Sequence, residues 1–164
     1  MPHCTKRAVF VCFLFCSCAL GADPGAPAPD FALPTAAADL LTLSGQRGKV
    51  VYVDFWASWC SPCLKSFPWM NEMQRRYGSR GFRIIAINVD QKRIDAERFL
   101  LKMPAQFSVV FDASGNTPRA YQIKAMPSSF LIDRGGMLHS AHTGFRDSSR
   151  EELESEIKRV LDQP

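Results

Sequence analysis

Four short stretches are apolar at nearly every position: Val50 to Trp56, Phe82 to Val89, Phe107 to Phe111 and Ser129 to Ile132. Runs of this length, rich in β-branched and aromatic residues, predict strands buried on both faces of a sheet. The turn Asp133-Arg-Gly-Gly136 leads into Met137 to Thr143 and predicts a hairpin. Phe31 to Leu33 and Leu40 to Leu43 are two shorter strand candidates upstream. Between these runs the period changes. Phe67, Met70, Met73 and Tyr77 recur every three or four residues and predict a helix between Pro62 and Gly78. Ile94, Phe99 and Leu100 mark a second helix, ending near Met103-Pro104. Leu153, Ile157, Val160 and Leu161 mark a last one, with Ser149 and Glu152 spaced for a capping box at its start. Strands alternating with helices predict an α/β fold: a central mixed sheet flanked by helices, with an antiparallel hairpin near the end.

The first 22 residues follow different rules. Lys6 and Arg7 precede a thirteen-residue apolar run, Ala8 to Leu20, and small residues follow at Gly21 and Ala22. A membrane-spanning helix needs about 20 apolar residues, so residues 1–22 read as a secretory signal peptide. Cleavage near Ala22, lipid attachment at Cys18 and retention as an uncleaved anchor remain alternatives. Residues 23–29, dominated by Pro, Ala and Gly, read as a linker, and 30–164 as one domain. Without Lys6 and Arg7 the chain holds 18 basic against 16 acidic residues. No basic run is interleaved with aromatics, so a nucleic-acid surface has no support. No exposed apolar stripe demands a partner subunit, and a monomer is expected.

Cysteine placement narrows the chemistry. Four of the six cysteines fall within the first eighteen residues, leaving Cys60 and Cys63 as a C-x-x-C in the body of the chain. A disulfide-stapled scaffold would spread its cysteines through the fold. One close pair suits a dithiol that cycles instead. The motif Trp59-Cys60-Ser61-Pro62-Cys63 lies where a strand gives way to a helix. Unpaired N–H groups and the positive dipole end at a helix N-terminus favour a thiolate there. Cys60 at the exposed tip would attack a disulfide, and Cys63, a turn further in, would resolve the mixed disulfide. Pro62 is tolerated in a first turn, where its missing N–H has no partner. A structural disulfide or half a zinc site is the bland alternative. Zinc needs about four ligands, and His139 and His142 are spaced to point to different faces of a strand. No metal is expected, and the reactive disulfide itself serves in place of a cofactor.

Asp54 interrupts an apolar strand six residues before Cys60. Burial there is costly unless the carboxylate is used. Desolvation would raise its pKa and suit it to accept the proton of Cys63. The structural alternative is a pairing with Lys65 or another base, with no kinetic role. Trp56 and Trp59 flank the motif and serve either as packing beneath its loop or as substrate contacts.

These segments together resemble the TlpA/ResA-like branch of the thioredoxin superfamily, over about Ala28 to Leu161. The resemblance rests on Ala28-Pro-Asp-Phe31, Gly48-Lys-Val-Val51, Asp54-Phe-Trp-Ala-Ser-Trp-Cys-Ser-Pro-Cys63, Ile87-Asn-Val-Asp90, Ala125-Met-Pro-Ser128 and Phe130-Leu-Ile-Asp-Arg-Gly136. It implies a thioredoxin-like fold with an N-terminal β extension and an inserted helix–strand unit between Asp90 and Ala125. It also implies a cis Met126-Pro127 peptide facing the cysteines, with Trp59, Ser61, Pro62, Met126 and Pro127 meeting substrate. Pro68 falls where the superfamily commonly kinks the helix. Two departures stand out: Asp54 matches thioredoxin where this branch more often has Asn, and Ser66 occupies a position where the branch tends to carry Glu.

The expectation is therefore an exported thiol–disulfide oxidoreductase of the periplasm or cell envelope, acting as a reductase. Ser61-Pro62 lacks the His of strongly oxidising C-P-H-C sites. The resemblance implies a membrane electron donor and exported protein substrates with disulfides: cytochrome c maturation factors, apocytochromes or copper-site assembly proteins. Two rivals use the same residues. One is a Cu(I)-binding module built from Cys60, Cys63 and Met126, all soft ligands. The other is a thiol peroxidase on the same fold.

Overall fold

A computed structural model describes residues 23–163; the leader and Cys18 lie outside the described residues. Seven strands form: β1 (Ala32–Pro34), β2 (Leu40–Thr42), β3 (Val50–Trp56), β4 (Phe82–Asn88), β5 (Ser108–Phe111), β6 (Ser128–Ile132) and β7 (Leu138–Thr143). The helices are α1 (Ser61–Tyr77), α2 (Arg93–Lys102), α3 (Asn116–Ala120) and α4 (Arg150–Leu161). The first two strands pair as a small antiparallel hairpin, and the other five form one sheet in the order β5-β4-β3-β6-β7. Strands β5, β4 and β3 run parallel, while β6 and β7 complete the mixed sheet antiparallel.

Every residue of β3 is buried. Alternation divides its side chains between two cores. Val50, Tyr52 and Trp56 join Phe67, Met70 and Met73 of α1, Phe99 of α2, and Leu153 and Ile157 of α4. Val51, Val53 and Phe55 join Ile85, Ile87, Phe130 and Tyr121 on the other side. The first core is aromatic at its centre, where Trp56 lies 4.9 Å from Phe67 and 4.8 Å from Phe99, ring centre to ring centre.

The second core is closed by the N-terminal segment rather than by long helices. Ala28, Phe31 and Leu43 are buried in it. Residues 23–29, read as a linker from composition, are held along the start of β7. Gly25 N–H donates to Leu138 O, Leu138 N–H to Ala26 O and Ala28 N–H to Gly136 O, at 2.7, 2.8 and 3.1 Å. Past Phe31 the segment reaches the opposite edge, where Thr35 bridges Val110 of β5.

Two further local features depart from the sequence reading. Helix α3 has five residues and no apolar period to announce it; the Asp112 carboxylate builds it by accepting from the N–H groups of Gly115 and Thr117 at 3.0 and 2.7 Å. The capping box expected from Ser149 and Glu152 does not form. Ser149 instead donates its hydroxyl to Arg146 O at 2.8 Å, closing a 3-10 turn over Asp147–Ser149 that leads straight into α4.

Candidate active site

Antiparallel register sets Phe55 opposite Ser128. The chain leaving β3 and the chain entering β6 therefore meet at one end of the sheet. Beyond Trp56 the chain turns through Ala57–Cys60, closed by Cys60 N–H donating to Ala57 O at 3.1 Å. Cys60 is extended and caps α1, and Pro62 falls in the first turn as its missing N–H allows. Cys63 N–H donates back to Cys60 O at 3.1 Å, and the two cysteines form a disulfide with Cα atoms 5.4 Å apart.

Cys63 is fully buried, as its position in the helix suggested. Cys60 is only 4% exposed, less than the exposed tip expected for it, because its sulfur is tied inward to Cys63. What the turn presents outward is Trp59, 69% exposed, with Ser61, Pro62 and Leu64 beside it. The two tryptophans thus divide their roles: Trp56 is sealed in the core and Trp59 stands in solvent. Opposite this turn the Met126-Pro127 peptide is cis. Pro127 is buried, with its carbonyl accepting from Gly144 N–H at 2.7 Å, and Met126 is half-buried against both cores.

Asp54 lies mid-strand, paired with Ala86 on β4 and Ser129 on β6. By alternation it faces the same side as Tyr52 and Trp56, the side on which both cysteines are buried. It is 2% exposed, and its Oδ2 has no hydrogen-bond partner among the described residues. Burial holds its pKa well above the usual carboxylate range. Lys65, the counter-ion of the structural alternative, lies exposed on α1 and forms no ion pair with Asp54. Nearby, the Tyr52 hydroxyl donates to Ser129 Oγ at 2.7 Å. Burial, then the Asp54 charge, pushes the Tyr52 phenol upward, so it remains a donor.

A second buried carboxylate had no assigned role in the sequence. Asp90 Oδ2 accepts from Ser58 N–H at 3.0 Å and from Asn88 Nδ2 at 2.8 Å, while Oδ1 accepts the Ser58 hydroxyl at 3.1 Å. Asn88 Oδ1 returns a bond from Asp90 N–H at 3.1 Å. The available signal was a pair of polar residues, Asn88 and Asp90, ending an otherwise apolar central strand.

Comparison with known proteins agrees with this geometry. The Redoxin family model matches residues 23–161. The chain belongs to the Redoxin family. Within it, the chain is 33% identical to the thiol–disulfide oxidoreductase ResA of Geobacillus kaustophilus over 136 residues, covering 83% of this chain and 77% of that protein. A Chlorobium tepidum protein assigned as thiol:disulfide interchange protein DsbE superposes with a TM-score of 0.83 at 52% identity, covering 85% of this chain and 98% of the other. An exposed lipoprotein thioredoxin from Streptococcus pneumoniae superposes with a TM-score of 0.71 at 28% identity, over 80% and 100% of the two chains.

This Redoxin protein is a thiol–disulfide oxidoreductase with a thioredoxin-like fold and a Cys60–Cys63 disulfide. The Redoxin site is organised around a gradient of access. Trp59 and Pro62 meet solvent, Cys60 lies just beneath them, and Cys63 and Asp54 are sealed behind. No helix among the described residues is long and apolar enough to cross a membrane.

Proposed function

We propose that this oxidoreductase is exported and reduces disulfides in other exported proteins. Cys60, as thiolate, attacks one sulfur of a substrate disulfide, forming a mixed disulfide and releasing the first substrate thiolate. Cys63 then attacks the Cys60 sulfur, which releases the second substrate thiol and closes the Cys60–Cys63 disulfide. Asp54 takes the proton that Cys63 must lose before it attacks. Two electrons leave the protein per cycle and return from a membrane electron donor. Trp59, Ser61 and Pro62 form the face a substrate meets, and the Met126 backbone beside cis Pro127 offers an edge for an extended segment.

The observation that carries this reading is the sealed pair of Cys63 and Asp54 on one side of the sheet, the acid kept without a counter-ion. Burial raises the pKa of such a carboxyl and makes it a stronger proton acceptor than an exposed one, as a buried thiol that must become nucleophilic requires. Export is supported by the leader pattern at residues 1–22 and by the S. pneumoniae relative, which is described as an exposed lipoprotein.

Equilibration in thiol/disulfide buffers, read by Trp fluorescence, tests the direction of transfer. A reduction potential near that of thioredoxin, about −270 mV, is expected. A potential near −120 mV, that of a strong oxidant, would overturn the reductase reading while leaving the site in place.

A further inference from the structure

The ladder between β3 and β4 does not stop where the strands do. Val89 N–H donates to Trp56 O at 3.0 Å as the last backbone bond between them. One step on, the chain of β3 has turned away, and a side chain takes over the pairing: Ser58 N–H donates to the Asp90 carboxylate, and the Ser58 hydroxyl follows. Ser58 is the first central residue of the turn Ala57–Cys60. Asp90 is 5% exposed, and its companion Asn88, 1% exposed, is fixed between β3 and β5, opposite Trp56 and Phe111. The turn that carries Trp59 and Cys60 is thus anchored, two residues before the cysteine, to the most buried part of the sheet.

We propose that Asp90 is a positioning residue for the redox reaction: its carboxylate, braced by Asn88, holds Ser58 so that the turn presents Cys60 in register with Cys63. This rests on the reading of Cys60 as the attacking cysteine and adds to it a second acid that touches neither sulfur. A neutral amide replaces the carboxylate only in part. Asp90 accepts three bonds; in Asp90→Asn the amide oxygen at the Oδ2 position keeps those from Ser58 N–H and Asn88 Nδ2 without the charge, and the NH2 at the Oδ1 position makes the Ser58 hydroxyl an acceptor instead of a donor. Hydrogen bonds to a charged acceptor are the stronger kind, so the hold on Ser58 weakens when the acceptor becomes neutral. Two consequences act in the same direction. A loosened turn no longer holds the cysteines together, which disfavours the disulfide. Removing a negative charge bonded to Ser58, two residues before Cys60, favours the Cys60 thiolate, and so the dithiol.

The test uses Asp90→Asn and Ser58→Ala beside the wild type, with two readouts: the equilibrium with glutathione, and the rate of reduction of a protein disulfide. For Asp90→Asn the equilibrium constant is expected to shift about tenfold toward the dithiol, which corresponds to 29.6 mV, with disulfide reduction slowed at least fivefold. Ser58→Ala keeps the charge and the backbone bond and loses only the hydroxyl contact. Its shift is expected in the same direction and near threefold. If Asp90→Asn fails to fold, Ser58→Ala decides alone. Equilibrium constants within 1.5-fold of wild type in the folded variants would overturn the proposal, even if their thermal midpoints fall, because that pattern belongs to a purely structural clamp. A wild type unable to reduce a protein disulfide would instead fail the reductase reading, and the glutathione equilibrium would still report on Asp90.

Discussion

Asp54 and Ser129 sit directly across from one another on β3 and β6, yet the Ser129 hydroxyl is bonded to Tyr52, whose phenol donates to it at 2.7 Å. The Ser129 hydroxyl accepts from Tyr52 and makes no hydrogen bond to the acid, whose Oδ2 has no partner among the described residues. Nothing near it rewards ionisation. The sheet raises the pKa of Asp54 by denying it both water and a cation.

Stability should consequently fall as the solution becomes more alkaline. Below about pH 3.8 Asp54 is protonated in both the folded and the unfolded chain. Above that value the unfolded chain releases the proton while the folded one keeps it, so stability declines until the raised folded pKa is passed. Asp54→Asn removes this slope. Denaturant titrations at pH 4 and pH 8 should show the variant gaining on wild type with pH, by about 1–3 kcal/mol at pH 8. A parallel pair of curves would mean that Asp54 is ionised in the folded state. The same variant should slow disulfide reduction severalfold at neutral pH.

Asp112 should produce the opposite slope. Burial opposes its ionisation, but bonds from Ser114, Thr117 and Gly115 outweigh burial and hold its pKa below the ordinary range. Its contribution is present above the unfolded carboxylate pKa and lost as pH falls through the folded one. Asp112→Asn should cost about 1–3 kcal/mol at neutral pH and less in acid. Hydrogen exchange would localise the loss to α3 and the turn before it; unaltered protection there would refute the assignment.

The two cysteines should separate by a trapping experiment. Cys63→Ser incubated with a disulfide-bonded protein should accumulate a mixed disulfide through Cys60, visible by mass spectrometry, whereas Cys60→Ser should accumulate none. Adducts forming on Cys63 instead would reverse the assigned order of attack.

Gly136 and Gly48 offer a paired test of backbone against packing. Both have φ near +80°. A methyl at Gly48 would meet nothing within 4 Å, but one at Gly136 would fall 0.8 Å from Arg47 Nη1. Gly48→Ala should cost only the left-handed strain, about 1–2 kcal/mol. Gly136→Ala must also displace the Arg47 bond to Gly135 O, adding about 0.5–1.5 kcal/mol. Equal midpoints in denaturant would show that Arg47 contributes nothing.

The main strands and α1 were legible because burial on two faces leaves few polar positions, as in Val50 to Trp56. The cysteine pair was legible from its place between a strand and a helix. The cis peptide at Pro127 came only through family resemblance, since nothing local marks that isomer. Side chains acting on distant backbone stayed hidden. Asp112 makes a helix without periodicity, Ser149 serves the turn before it rather than the helix after it, and Asp90 reaches 32 residues back to Ser58. Each depends on a polar atom meeting a turn, which hydrophobic spacing does not record. The segment 23–29 escaped for a related reason: its backbone, not its side chains, makes the contacts.

That segment also bears on aggregation. Open sheet edges invite pairing with any extended chain. Here one continuous N-terminal strap covers part of both: Pro27 bridges Met137 beside β7, and Thr35 bridges Val110 on β5. Backbone that would otherwise template a stray strand is already occupied, on opposite flanks of the molecule, by the protein's own chain. Encounters with unfolded polypeptide are thereby steered away from the flanks, toward the end of the sheet where Trp59 projects.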